Sequence, residues 1–269
     1  MNLHALARPL LGAVVFAVCC YLVIPTLIVV PISFTQTDYI AFPPKGFSLQ
    51  WYETFLGAGP WRTSTLNSLL VAAVSAALAT VIGTLAALGL RRLPRMLARL
   101  AVWIVLLPMV VPTIIIAVAL YGAFARLGLI GTKLGLILAH ALLTLPFVVI
   151  NVSAVIQKMD WRMVDAARSL GASPAAAFRK VTLPAILPGV LAGLVFAFLT
   201  SFDEIVVALF VTGIDSLTLP VQMWNGIRFE ISPAVAAASS LLLLLSIFAL
   251  TAYGAARRLG RRTQEGLRT

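Results

Sequence analysis

The sequence predicts an all-α, polytopic membrane protein with six transmembrane helices, and three observations lead to that fold class. Of the 269 residues, 61% are hydrophobic and only 11% are charged, which is more apolar surface than one soluble core can bury. The apolar residues gather in runs of about 20, the length that crosses about 30 Å of hydrocarbon. The basic residues behind the net charge of +11 lie in short clusters between those runs. The charge therefore indicates a membrane topology rather than a nucleic-acid surface.

Six apolar windows are expected to cross the lipid bilayer. They lie near residues 10–32, 66–90, 101–124, 134–156, 186–210 and 234–254. The first resembles a secretory signal, but its length and the lack of a small-residue cleavage site predict a retained span. We expect a first helix and outward segment over 1–60, a core of five helices over 61–257 and a basic tail over 258–269.

Lys and Arg are shared unequally among the segments between these windows. Fifteen lie in the N-terminus, the 2–3 and 4–5 connections and the tail, and five lie in the other three connections. Because segments rich in Lys and Arg stay in the cytoplasm, both termini are predicted to be cytoplasmic.

Glycines in two of the windows would let helix backbones approach closely. They are Gly83 and Gly89 in the second window, and Gly189 and Gly193 in the fifth. The ordinary glycine content of membrane helices explains them equally well.

The residues offer no catalytic or metal site. Cys19 and Cys20 are neighbours inside the first window, without metal-ligand spacing, and His140 is expected to be a hydrogen-bonded packing residue between helices. No Gly-x-x-x-x-Gly-Lys-Ser/Thr sequence occurs, so the chain lacks the usual loop that binds ATP phosphates. We expect neither an enzyme nor a bound cofactor.

The 4–5 connection, residues 157–185, is too long and too patterned to be a simple link. Asp160 is placed to cap a short helix, and Gly171 to end it in the left-handed conformation. Ser173 and Pro174 then begin a second helix as cap and first residue. Two prolines are expected to mark the return to the membrane, Pro184 and Pro188.

This segment resembles the EAA loop of ABC importer permeases, whose pattern is Glu-Ala-Ala, three residues, Gly, nine residues, Ile, one residue, Leu-Pro. The matching positions here are Asp165, Ala166, Ala167, Gly171, Val181, Leu183 and Pro184. Asp165 and Val181 depart from the pattern but preserve negative charge and apolar character. The resemblance implies the type I ABC importer permease fold and a loop that docks into a groove of a nucleotide-binding subunit. It also implies that Ala166, Ala167 and Gly171 form a close-packed corner.

The same resemblance implies a complex in the bacterial inner membrane. Its other members would be a second permease subunit, with a heterodimer favoured, an ABC ATPase dimer that holds ATP and Mg, and an extracytoplasmic solute-binding protein. The lipid bilayer surrounds this assembly, and nucleic acid plays no part in it.

Two adjacent carboxylates, Asp203 and Glu204, interrupt the fifth window. Each costs about 2.5–3.5 kcal/mol if it faces lipid, so at least one is expected to face a wet pathway or a partner. Counting about 1.5 Å per residue puts Asp203 roughly 25 Å from the cytoplasmic start of the span. On a helix the two side chains would point about 100° apart. Alternatively, both acids hold helices or the sister subunit together.

A pathway that carries carboxylates favours cations, and Phe202 or Trp224 could add cation–π contacts. The stretch from Ser201 to Gly213, with the Leu-Pro loop at 217–220, resembles the C-type permease of spermidine/putrescine importers. That resemblance implies a polyamine or a related small cation as solute. Opines, amino acids, phosphonates and iron remain alternatives, as do a stand-alone secondary transporter and, with least support, an intramembrane enzyme.

Overall fold

The structure, a computed structural model, describes residues 3–248 and 251, and it describes side chains from residue 11 onward except that of residue 230. The regular elements within these residues are helical. In chain order they are α1 (Leu3–Ile32), α2 (Gln50–Leu56), α3 (Pro60–Leu90), α4 (Arg95–Val110), α5 (Thr113–Leu127), α6 (Lys133–Ile156), α7 (Arg162–Ser169), α8 (Pro174–Ala177), a π-helical turn (Phe178–Thr182), α9 (Leu183–Phe202), α10 (Val206–Val211), a 3₁₀ turn (Ile214–Ser216), α11 (Leu219–Asn225), a second π-helical turn (Gly226–Glu230) and α12 (Ala234–Phe248).

Four of the described helices are long and apolar enough to cross a membrane, and the α4–α5 pair would make a fifth. The four are α1, α3, α6 and the continuous helix from Pro174 to Phe202. The predicted windows near 10–32, 66–90 and 134–156 are therefore confirmed as long apolar helices. The sixth window corresponds to the shorter α12, and its end near residue 254 lies largely outside the described residues. The count of six crossings stays a prediction.

The third window is not one helix, as the sequence predicted. α4 and α5 meet at an angle of 101°, and Val111 and Pro112 between them have extended backbone, with ψ of 132° and 129°. A proline disfavours helical backbone at the preceding residue and offers no N–H to continue the helix. Hydropathy detects an apolar run but not such a break.

The fifth window is also displaced. Its helix begins at Pro174 and ends at Phe202, whereas the window covered 186–210. Pro184 and Pro188 do not separate the loop from the span, because the chain passes through the π-helical turn, where Leu183 N–H bonds to Phe178 O. Widening the turn moves carbonyls away from the proline ring, so the helix continues.

The chain divides into two compact units. One contains residues 1–62 and 223–269, and the other runs from Thr63 to Gln222. Within the first, hydrogen bonds join Tyr52 Oη to Ser33 Oγ at 2.6 Å and to Ser240 Oγ at 2.9 Å. These bonds tie α2 to the end of α1 and to α12.

In the second unit, α3, α6 and α9 meet at Val148, which is fully buried. A Cβ placed at Gly83 would lie 2.8 Å from Val148 Cβ, and one at Gly193 would lie 2.9 Å from Val148 Cα. One at Gly189 would lie 2.8 Å from the Asn151 carbonyl oxygen. These three glycines therefore allow the close approach that the sequence suggested. Gly89 does not, since no atom lies within 4 Å of its Cβ position.

We expect Gly193→Ala to destabilise the protein by about 1–3 kcal/mol, because its methyl group would overlap α6. The purified protein should show a lower thermal unfolding midpoint. Gly122→Ala is the matched control, since it adds the same methyl group to a helix where nothing lies within 4 Å. Equal midpoints for the two variants would contradict this account of the packing.

Candidate functional site

The segment between α6 and α9 forms the helix, corner and helix that the sequence predicted. Asp160 Oδ1 accepts a hydrogen bond from Arg162 N at 3.0 Å where α7 begins. Gly171 has φ of +90°, and next to it Ala172 N–H bonds to Ala167 O at 3.0 Å. Only glycine adopts that conformation readily, so the predicted left-handed end of the helix is confirmed.

The second helix of the segment begins as predicted. Ser173 Oγ accepts a hydrogen bond from Ala176 N at 3.2 Å, and Pro174 is the first helical residue. The helix then continues into α9. Consequently the second half of the EAA-like pattern does not lie in the loop: Val181 belongs to the π-helical turn, and Leu183 and Pro184 open α9.

The two sides of α7 differ in exposure. Trp161, Val164 and Ala167 are half-buried against the rest of the unit. The opposite side is exposed and partly apolar: Met163 is 56% exposed and Leu170, at the corner, is 89% exposed. The segment thus presents apolar side chains outward without a partner in the described part of this unit.

The pattern residues split across these two sides. Asp165 and Ala166 are exposed, as is Gly171, whose Cβ position has no atom within 4 Å. Ala166 and Gly171 therefore have no close packing among the described residues, and the close-packed corner of Ala166, Ala167 and Gly171 stays a prediction. Only Ala167 packs inward, and close packing on Ala166 and Gly171 would have to come from another protein.

A contact that the sequence analysis missed holds the start of α7 to the end of α3. The Arg91 guanidinium carbon lies 3.5 Å from the centre of the Trp161 ring, close enough for a cation–π interaction. The two residues are far apart in sequence, and neither stands in a local pattern that points to the other. Clefts of about 630 and 540 Å³ are lined in part by this pair.

The acidic pair lies in the short non-helical segment between two helices, not inside a helix as predicted. α9 ends at Phe202, and α10 begins at Val206. The Glu204 carboxylate accepts hydrogen bonds from the N–H groups of Val206, Val207 and Ala208 at 3.0–3.1 Å. It therefore satisfies the free N–H groups at the start of α10. The expected angle of 100° between helical neighbours does not apply here.

Asp203 has a different environment. Its side chain is exposed and makes no hydrogen bond or ion pair within residues 11–248. Just before it, the Phe198 and Phe202 rings stack with centroids 6.0 Å apart and planes 20° from parallel. Of the two acids, only Asp203 has a carboxylate without a hydrogen bond in the described residues, and it directly follows Phe202 in sequence.

His140, on α6, contacts the residues around the end of α9. Its Nδ1 lies 2.9 Å from Ser201 Oγ, which confirms the predicted role as a hydrogen-bonded residue between helices. Its Nε2 lies 3.9 Å from Glu204 Oε2, a proximity that the sequence did not indicate. The side chain is 1% exposed, so the cluster is internal.

Trp224, the last predicted pathway residue, lies in α11 and is 41% exposed. It belongs to the unit that contains residues 223–269, whereas Phe202 and Asp203 belong to the other. Its proximity to the acids stays a prediction.

Comparison with known proteins identifies the family of this chain. Residues 79–263 match the family described as "Binding-protein-dependent transport system inner membrane component". The spermidine/putrescine transport system permease protein PotC of Haemophilus influenzae is 34% identical over 88% of this chain and 91% of its own. The putrescine transport system permease protein PotI of Escherichia coli K12 is 30% identical over 83% of this chain and 82% of its own.

A solved structure agrees in fold. A chain of a bacterial ABC transporter involved in the import of the acidic polysaccharide alginate superposes with a TM-score of 0.72, covering 96% of this chain and 98% of that one. The identity is 14%, so this likeness shows the fold alone. The family match and the relatives at 30% identity or more lead to one conclusion: this chain belongs to the binding-protein-dependent transport system inner membrane components and is a permease subunit of an ABC importer.

Proposed function

We propose that this subunit forms half of the translocation pathway of a polyamine importer and that Asp203 contacts the cationic solute. The observation that carries the proposal is the exposed Asp203 carboxylate, which has no hydrogen-bond or ion-pair partner among the described residues and directly follows the stacked Phe198–Phe202 pair in sequence. An alkylammonium group suits both a carboxylate and aromatic faces. The names of the two relatives, which are permeases for spermidine, putrescine or both, agree with that chemistry.

The proposed orientation puts both termini, α7 and the corner at Gly171 in the cytoplasm. The unequal distribution of Lys and Arg supports it. The six crossings would be α1, α3, the bent α4–α5 pair, α6, the helix from Pro174 to Phe202, and α12. Asp203 then lies on the opposite side of the membrane, where solute would enter from an extracytoplasmic binding protein.

The coupling to ATP runs, in this proposal, through the helix that begins at Pro174. Its 29 residues span about 43 Å, and it carries the corner at one end and Asp203 next to the other. A packed helix moves as a unit, so displacement of the corner by an ATPase would reach the acidic break. The exposed side of α7, with Met163 and Leu170, is the proposed contact with the ATPase groove.

The remaining members of the complex are also proposals. ATP and Mg would be held by an ABC ATPase dimer, not by this chain, which carries no phosphate-binding loop. A second permease, different from this one, would supply the other half of the pathway. This subunit would then be a transport component without catalytic activity of its own.

We expect Leu170→Asp to weaken binding of the ATPase subunit about thirtyfold, or about 2 kcal/mol, as for an apolar residue central to an interface. The measurement is titration of ATPase onto the reconstituted permease. Met96→Asp is the control, because Met96 is 84% exposed on α4 but lies outside α7. Equal effects of the two changes would contradict the proposed docking side.

We expect Asp203→Asn to raise the KM for spermidine uptake about tenfold or more, because a charge-assisted contact is worth about 1.5–3 kcal/mol. ATP-driven uptake by the complete importer in proteoliposomes measures it. Glu204→Gln is the matched variant: it weakens the cap of α10, so it should lower the thermal midpoint more than it changes KM. Normal spermidine uptake by Asp203→Asn would remove Asp203 from the pathway.

The solute class has its own test. Thermal-shift screening of the cognate binding protein with polyamines, opines, amino acids, phosphonates, sugars and ferric ion should give a polyamine response. A response to an anionic or ferric ligand alone would replace the polyamine proposal and leave the importer assignment standing.

A further inference from the structure

The surface of α4 carries an amphiphilic groove that none of the roles above uses. Four residues on one side of the helix, spaced by three or four positions, line it: Arg95, Arg99, Val102 and Leu106. Trp103 and Ala98 complete a cleft of about 470 Å³. Because residues at this spacing share one helix face, the cleft is cationic toward the start of α4 and apolar farther along.

A second cleft, of about 630 Å³, adjoins this groove between the last turns of α3 and α6 and the middle of α4. It shares Val102 and Leu106 with the first, and its other walls are mainly apolar, including Ala87 and Val149. Arg91 and Trp161 also line it. The two clefts therefore adjoin at Val102 and Leu106, and the lining of each includes at least one guanidinium group.

The positive charge at this end of the groove is not compensated inside the protein. Arg91, Arg95 and Arg99, which line the two clefts, are all exposed, and none forms an ion pair with an acid in the described residues. Arg91 is partly engaged by the Trp161 ring, whose face attracts a cation but carries no net charge. An occupant of the groove should thus be anionic at one end and apolar along the rest.

An anionic phospholipid has this distribution of charge, and basic pockets between transmembrane helices are known to bind such head groups. We propose that the α4 groove is a binding site for an anionic phospholipid, with the lipid phosphate against Arg95 and Arg99 and an acyl chain along Val102 and Leu106. The inference rests on the proposed orientation only in assigning the site to the cytoplasmic leaflet. A lipid there would lie next to Trp161, at the base of α7.

The test uses the complete importer in nanodiscs that contain a photoactivatable phosphatidylglycerol or a photoactivatable phosphatidylcholine with the same acyl chains. Phosphatidylglycerol should label the peptide containing residues 95–106 in excess. Arg95→Gln and Arg99→Gln should each lower that excess about fivefold, the equivalent of about 1 kcal/mol per guanidinium. Arg92→Gln is the matched control, since it removes a neighbouring charge but lines neither cleft. It should lower the labelling less than either of those two changes.

Three results would overturn the proposal. Equal labelling by the two lipids would show that the groove does not select a charged head group. An Arg92→Gln effect as large as that of Arg95→Gln would reduce the preference to diffuse attraction. Cross-linking of Val102→Cys to the sister permease would make the groove a protein interface. Labelling is measured without ATP or solute, so its outcome does not depend on the proposed transport function.

Discussion

The close packing of α9 on α6 is the contact on which the second unit depends. Lipid tails are as apolar as the helix surfaces, so the hydrophobic effect gives transmembrane helices little reason to associate. Here the backbones approach closely at Gly189 and Gly193 instead. Val148 fills the space beside Gly193 and Gly83, and Asn151 and Val155 lie against Gly189. Buried alanines on α3 and α9, among them Ala79 and Ala197, extend the same small-residue contact.

The helix from Pro174 to Phe202 is continuous. It begins three residues after the corner at Gly171 and ends directly before Asp203, so one helix connects the two proposed sites. The π-helical turn is what permits this. Without a widened turn before Pro184, the proline would end the helix and the loop could pivot independently of the span.

The polar side chains near the end of α9 differ in their hydrogen bonding, which composition alone does not reveal. The first N–H groups of a helix have no partner within the helix, and the Glu204 carboxylate accepts hydrogen bonds from those at the start of α10. His140 is likewise paired with Ser201. The side chain of the neighbouring Asp203 accepts no hydrogen bond from the described residues. Adjacent carboxylates thus differ in their hydrogen bonding, because only one is placed to accept bonds from the start of a helix.

The sequence by itself determined the class of protein, the position of most apolar helices and the local shape of the loop, because these follow from composition and from contacts within a few residues. Asp160, Gly171 and Ser173 act on their near neighbours, so their roles were readable. Only the tertiary structure decided the bend at Pro112, the end of α9 at Phe202, the pairing of Arg91 with Trp161 and the capping role of Glu204. Each depends on backbone conformation, hydrogen bonds or side-chain contacts in the folded chain. The hydropathy of a sequence window carries no information about these.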